Sequence, residues 1–428
     1  MRTSWYRPEN IILPLTLVAF IGLTSELTRP FFNVNTRWAV LLILLVSVLP
    51  RRNSITWLNS TFGLVLLVYL FWCFLTYSWS IVPLLSLMKA TAFCLVAVTM
   101  IAAGYLWSIR NSLANALDYL YPFIIFAMLT GILGKTEQSA IVHSGKVVMY
   151  QGLVSGPNMF GMMMAMIIPF ILWKLFSDRR LMMRKFIWLL LLALTLVFLI
   201  LSVSRASMLV VFFTFSGFLI TLHLRTRIMI IMSIVLSILF LILVQPAVLD
   251  SFQKVIIYKY ATPEQGVLFT RQRVWSESYA LALQGGWIGA GYGVTIGQEN
   301  FSGSLTSVAY GREKGNSQLA IVEETGIVGL FLYFLLLLLV YFKLVSVYVR
   351  TRDQQCRMLI GIVSGTLMGM VVHSVFEAWW VAPGSPESVY FWSLVGVGIG
   401  ISSVAKKRHF MFNRIISPEM LPRTVNTV

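Results

Sequence analysis

At 428 residues, 58% hydrophobic and only 11% charged, the chain falls far from the roughly 25% charge share of a soluble domain. Its apolar surface is too large to hide in one water-soluble core, so lipid must solvate much of it. The net charge of +17 sits in short Lys/Arg clusters between apolar runs rather than along one basic face, which argues against nucleic acid and matches loops facing anionic lipid.

The first apolar run, Ile11 to Leu23, follows Arg2 and Arg7 with no small-residue cleavage site after it. It reads as an uncleaved first helix, not a signal peptide. Further runs, separated by Pro, Asn, Gly or charge, predict helices near 11–27, 38–50, 60–78, 84–107, 113–134, 152–176, 186–203, 206–222, 228–245, 317–342, 358–377 and 388–404. The expected fold is therefore an all-α, polytopic transmembrane bundle of about twelve helices. The second, seventh and eighth runs are short enough to be tilted or partly re-entrant. Cys73, Cys94 and Cys356 lie in apolar runs or beside a basic loop, with neither metal-ligand spacing nor a disulfide framework.

Alternate loops carry the basic clusters. Arg51-Arg52, Arg110, Arg179-Arg180 with Arg184-Lys185, Arg225 with Arg227, Lys343/Arg350/Arg352/Arg357 and the tail Lys406-Lys407-Arg408 share one side. The positive-inside rule makes that side cytoplasmic, with both termini on it, in a multi-pass membrane protein. The chain divides into helices one to nine (1–245), an outer loop (246–316), helices ten to twelve (317–404) and a cytoplasmic tail (405–428). A loop of that length is uncommon unless functional. Val248 to Tyr260 reads as an interfacial helix, and Arg271 to Leu283 as another, stopped by Gly285-Gly286.

Some charges have no structural excuse. Arg205, in Ser-Val-Ser-Arg-Ala-Ser at the outer end of two apolar runs, is costly there unless it snorkels, pairs or binds an anion. Arg271 and Arg273 lie in the outer loop, and converging guanidinium forks hold phosphate oxygens bidentately without a metal. His373 and Glu377, four residues apart, share one helical face near the outer end of the eleventh helix; the pair is either a base with its orienter or a polar stitch between helices. His143 is a weaker outer-loop candidate, while His223 and His409 look incidental. The sequence contains no phosphate-cradling Gly-Lys-Ser/Thr loop, no His-Glu-x-x-His and no nucleophile-elbow serine.

Three segments resemble the bacterial O-antigen polymerase/ligase superfamily of membrane glycosyltransferases. They are Ser202-Val203-Ser204-Arg205-Ala206-Ser207; Thr270-Arg271-Gln272-Arg273-Val274-Trp275 with Gly285-Gly286-Trp287-Ile288-Gly289-Ala290-Gly291-Tyr292-Gly293; and Gly315-Asn316-Ser317-Gln318-Leu319 continuing through Glu323-Glu324-Thr325-Gly326-Ile327-Val328-Gly329-Leu330. Phe376-Glu377-Ala378 with Phe391-Trp392 is a weaker match. The resemblance implies a metal-independent, cofactor-free, inverting transferase. Its donor would be a glycan linked to undecaprenyl pyrophosphate, and its acceptor a second glycan or lipid A core. Membrane lipid and a chain-length regulator would be further partners.

The expected pyrophosphate contacts are Arg205 and Arg273, then Arg271. The expected base is Glu277, one turn beyond Arg273, or His373 with Glu377, or Glu313. Trp275, Trp287, Tyr292 and Tyr310 would stack on sugars or anchor the loop at the interface. Ligases of the superfamily usually carry His-Asn where this chain has Gly315-Asn316, which favours a polymerase and leaves the base open. The rival expectations are the ligase itself and, from a different class, a multi-helix transporter or lipid-linked-sugar flippase.

Overall fold

The computed structural model describes residues 8–142, 145–177, 182–244, 266, 268–296 and 314–416. Among them run α1 (Pro8–Gly22), α2 (Val34–Val48), α3 (Thr61–Leu75), α4 (Pro83–Arg110), α5 (Tyr121–Ile132), α6 (Pro157–Ser177), α7 (Met182–Leu201), α8 (Arg205–Ile220) and α9 (Leu224–Val244). Then follow α10 (Phe269–Gly285), α11 (Ser317–Arg350), α12 (Gln354–Phe376) and α13 (Pro386–Ile416). Among the described residues, eight helical segments are long and apolar enough to cross a membrane, and α1, α2 and α8 are shorter apolar helices. The chain is thus a helical membrane protein.

Local chemistry sets the helix starts. Asn33, Ser60, Asn316 and Asp353 accept backbone N–H bonds at the heads of α2, α3, α11 and α12, and proline opens α1, α4, α6 and α13. Two elements outrun the sequence expectation, since α11 continues eight residues past 342 and α13 twelve past 404. One departs from it: residues 135–152, expected to be loop, form an antiparallel hairpin of β1 (Lys135–Val142) and β2 (Gly145–Gly152). The segment Lys-Val-Val-Met-Tyr-Gln within β2 is rich in strand formers. Val248 to Tyr260, His143, Glu313 and Tyr310 lie outside the described residues.

The bundle is closed by glycine. On α12, Gly361, Gly365 and Gly369 recur every four residues and form one seam against α8. A Cβ on Gly365 would collide with Phe213 O, and one on Gly369 would sit 2.6 Å from Val210 Cα. Close backbone approach of this kind is how helices associate when lipid removes the hydrophobic drive between them. Thr214 and Thr366 hydroxyls meet at 3.1 Å across the same seam. On the other side α4 meets α13 through Gly104 and Gly396, each against a partner carbonyl.

The two ends of the bundle differ chemically. At one, buried Glu9 takes Arg51 at 3.2 Å together with Arg110, Lys174 pairs with Asp118 at 2.5 Å, and Gln354 donates to Thr221 O. These are the ends that carry the basic loops. The opposite end holds the β-hairpin, α10 and the α12–α13 corner.

Candidate functional site

The site begins at the turn between α7 and α8. Val203 there is buried and left-handed (φ 51°), an uncommon conformation for a β-branched residue and a place where strain is stored. Ser202 Oγ accepts from Ser204 N at 3.3 Å, and the Ser204 and Ser207 hydroxyls meet at 2.8 Å. Gly161 of α6 admits this turn, because a Cβ there would lie 2.5 Å from Ser204 Cβ. Arg205 is thereby fixed as the first residue of α8, half-buried.

The α8–α12 seam brings the far end of α12 beside it. Arg271 of α10 donates through Nη2 to Glu377 Oε1 at 2.5 Å. Glu377 caps α12, its N–H donating to His373 O at 3.1 Å and its carbonyl accepting from Ser317 Oγ at 2.9 Å. Trp275 holds α10 down, its indole N–H donating to Gly315 O at 3.1 Å and its ring lying 5.6 Å from that of Phe376. His373 is buried under the pair, and its Nδ1 has no hydrogen-bond partner among the described residues. Arg271 lies within electrostatic reach of both Arg205 and His373.

Of the sequence candidates, then, Arg205, Arg271, His373 and Glu377 converge. Arg273 and Glu277 do not: they pair with each other at 3.2 Å along α10, and the Arg273 side chain is 91% exposed. The reason is helical geometry, since two residues along a helix turn the side chain by about 200°. Gly315 also acquires a local reason, because a Cβ there would stand 2.5 Å from Val274 Cγ1. Asn316 beside it is an N-cap, accepting from Leu319 N at 2.9 Å.

A second constellation was missed by the choice of sequence candidates. α11 is broken at Gly326 (φ 71°, ψ −173°), and the glycine turn after α10 closes over the break. Ala290 N and Gly291 N donate to the carbonyls of Glu323 and Glu324, while Ile327 N and Val328 N donate to those of Gly286 and Trp287. The Trp72 indole takes Thr325 O. The two glutamate side chains, both buried, reach up into the same turn: Glu324 Oε2 accepts from Gly293 N at 2.6 Å and Glu323 Oε1 from Ile296 N at 3.1 Å. Lys314 neutralises them, at 2.7 Å from Glu324 and 3.6 Å from Glu323. Lys89 donates to Gly293 O at 2.8 Å. Glu387, in the first turn of α13, is a further buried carboxylate within reach of the charge on Glu377. The signal available in the sequence was acid inside an apolar run, which marks a functional or structural site by default.

The arrangement offers two guanidinium groups beside a buried imidazole, at one end of a helical bundle. Such a constellation can hold a diphosphate and stabilise its negative charge as a bond to it breaks. No protein-family model matches the chain, and no curated protein matches it.

Proposed function

We propose that this protein is an inner-membrane glycosyltransferase that joins polysaccharide repeat units carried on undecaprenyl pyrophosphate, working at the periplasmic face. In this reading both termini are cytoplasmic, the chain crosses the membrane about twelve times, and residues 246–316 form a periplasmic loop that contributes to the site. The observation that carries it is the Arg271–Glu377 ion pair joining two separate elements beside the buried His373, with Arg205 within electrostatic reach of Arg271. The leaving group is an anion already at the membrane surface, so fixed cations can stabilise its departure without a proton transfer to it. Glu377 orients Arg271, and with so good a leaving group the proton of the acceptor hydroxyl passes to solvent without a strong protein base.

The broken helix α11 bears on the transporter alternative. Broken helices in transporters leave backbone groups open to coordinate substrate. Here the glycine turn and Trp72 take up the backbone groups around Gly326, so the break serves to dock a loop. That favours an enzyme over a flippase. Between polymerase and ligase, Gly315 favours the polymerase, since ligases of the superfamily carry histidine there and here a Cβ would press on Val274 Cγ1 at 2.5 Å.

The test is deletion of the protein in its host, with the surface glycan read on a gel. A single repeat unit left attached to lipid A core is the result expected of a lost polymerase. Long chains accumulating on the lipid carrier with none attached would make it the ligase, and an unaltered glycan would remove the proposal.

A further inference from the structure

α10 has three distinct sides. At about 100° per residue, Val274, Ser278 and Gly285 face the protein. Arg273, Glu277 and Gln284 form an exposed polar strip, and a third exposed strip runs Gln272, Ser276, Tyr279, Leu283, turning apolar at its C-terminal end. Beyond the helix end Trp287 and Ile288 prolong the apolar strip, with Trp287 71% exposed. Only the C-terminal end of the helix, with the turn that follows it, therefore offers exposed apolar side chains to a membrane interface.

The height of this strip can be read from α11. Val328 N donates to Trp287 O, and Gly326 packs directly on the Trp287 and Ile288 backbone. From Gly326 to Lys343, the first basic residue toward the other end, is seventeen residues, a rise of about 26 Å at roughly 1.5 Å per residue. The hydrocarbon core of a bilayer is about 30 Å thick. On α12, Arg357 and Glu377 are twenty residues apart, a rise of about 30 Å by the same measure. Trp287, packed on Gly326, therefore stands close to one boundary of the hydrocarbon. Directly below it, Ile327, Phe331, Phe334 and Leu338 form an exposed apolar stripe on α11 at spacings of four, three and four. Trp287 and Ile288, packed on Gly326, adjoin the upper end of that stripe.

We infer that the edge formed by Tyr279, Leu283, Trp287 and Ile288 is a membrane-docking surface, seated in the headgroup–acyl boundary of a phospholipid bilayer. Burying Trp and aliphatic side chains at that depth is favourable, and tryptophan prefers the interface to the bilayer centre. Docking holds Arg271, on the same helix, at the level of lipid phosphates. The anion it meets is then one carried by a lipid, which adds to the function proposed above but does not depend on it.

The test uses the full chain with Cys73, Cys94 and Cys356 replaced by alanine, reconstituted in vesicles of phosphatidylethanolamine and phosphatidylglycerol. A nitroxide is placed at Leu283→Cys in one sample and at Glu277→Cys in another. Its collision rates with oxygen, which partitions into lipid, and with a water-soluble nickel chelate are then measured. At position 283 oxygen is expected to exceed nickel several-fold, with the order reversed at 277. Equal nickel access at both positions would put the strip in water and overturn the inference. Protection of position 283 from both reagents would mean that protein covers it, with the same consequence. Glycan joining is not part of the measurement, so a negative result leaves the proposed reaction standing.

Discussion

Residue by residue, the charges divide by what surrounds them. Arg205 and Arg271 are half-buried and within electrostatic reach of one another, whereas Arg273 is a solvated partner of Glu277. Removing a preorganised cation that meets developing charge costs about a hundredfold or more in rate. An exposed ion pair is worth at most about 1 kcal/mol. Arg205→Ala and Arg271→Ala are accordingly expected to abolish measurable glycan joining in membranes, and Arg273→Ala to stay within about fivefold of wild type. Equal loss in all three would move the binding face to the exposed side of α10. The buried Lys314–Glu324 pair makes a different prediction, about folding. Lys314→Met strands two carboxylates with Lys89 as the nearest cation left, at a cost of about 3–5 kcal/mol. The double variant Lys314→Met/Glu324→Gln removes the uncompensated charge and is expected to recover much of that loss. Thermal unfolding in detergent reads both; a double variant no better than the single one would deny the pair its charge-balancing role. Arg205, His373 and Glu377 were legible in the sequence as ionisable residues at the ends of apolar runs, and Arg271 as one of an Arg-x-Arg pair in the outer loop. Their ranking was not, because which side of α10 faces the protein depends on how Trp275 and Gly315 dock.

At the scale of elements, the site depends on glycine seams more than on the helices that carry it. Gly365 lies against Phe213 O, and a side chain there must push α8 from α12, separating Arg205 from His373 and Glu377. Gly365→Leu is expected to destabilise the fold by about 1–3 kcal/mol, as overpacking does, and to abolish joining even where the protein still inserts. Gly156→Ala is the control. Nothing lies within 4 Å of a Cβ at that position, so the change should stay within about 0.5 kcal/mol. Differential scanning measurements on the two variants, beside a joining assay, separate the seam from general intolerance of glycine replacement. The positions of the helices were readable from apolar runs and their caps. The β-hairpin of residues 135–152 was not, because a short, largely polar link between two spans looks like a loop until its strands pair. The break at Gly326 was hidden for the opposite reason. It lies inside an apolar run, and only the glycine turn that covers it reveals that the helix is interrupted.

Over the whole molecule, the ends segregate as the positive-inside pattern anticipates. Residues 9, 51 and 110, far apart in the chain, gather at one end, and residues 271, 317 and 377 gather at the other. Which end faces the cytoplasm is set by the insertion machinery reading Lys and Arg, and labelling can test it. A membrane-impermeant maleimide is expected to modify Asn35→Cys in intact cells and Ile55→Cys only after permeabilisation, both positions being exposed. The reverse order would invert the topology and place the Arg205–Arg271 end in the cytoplasm, away from any periplasmic glycan.

What the sequence determined by itself was the solvent, the helical class and the alternation of loops, since apolar length and the placement of Lys and Arg are one-dimensional properties that a bilayer reads directly. What only the tertiary structure decided was the selection among charges: which arginine turns inward, which glutamates clasp a loop, and where a helix breaks. Those depend on contacts between residues such as Arg271 and Glu377, 106 positions apart, and no local pattern encodes which distant backbone will come close enough to satisfy them.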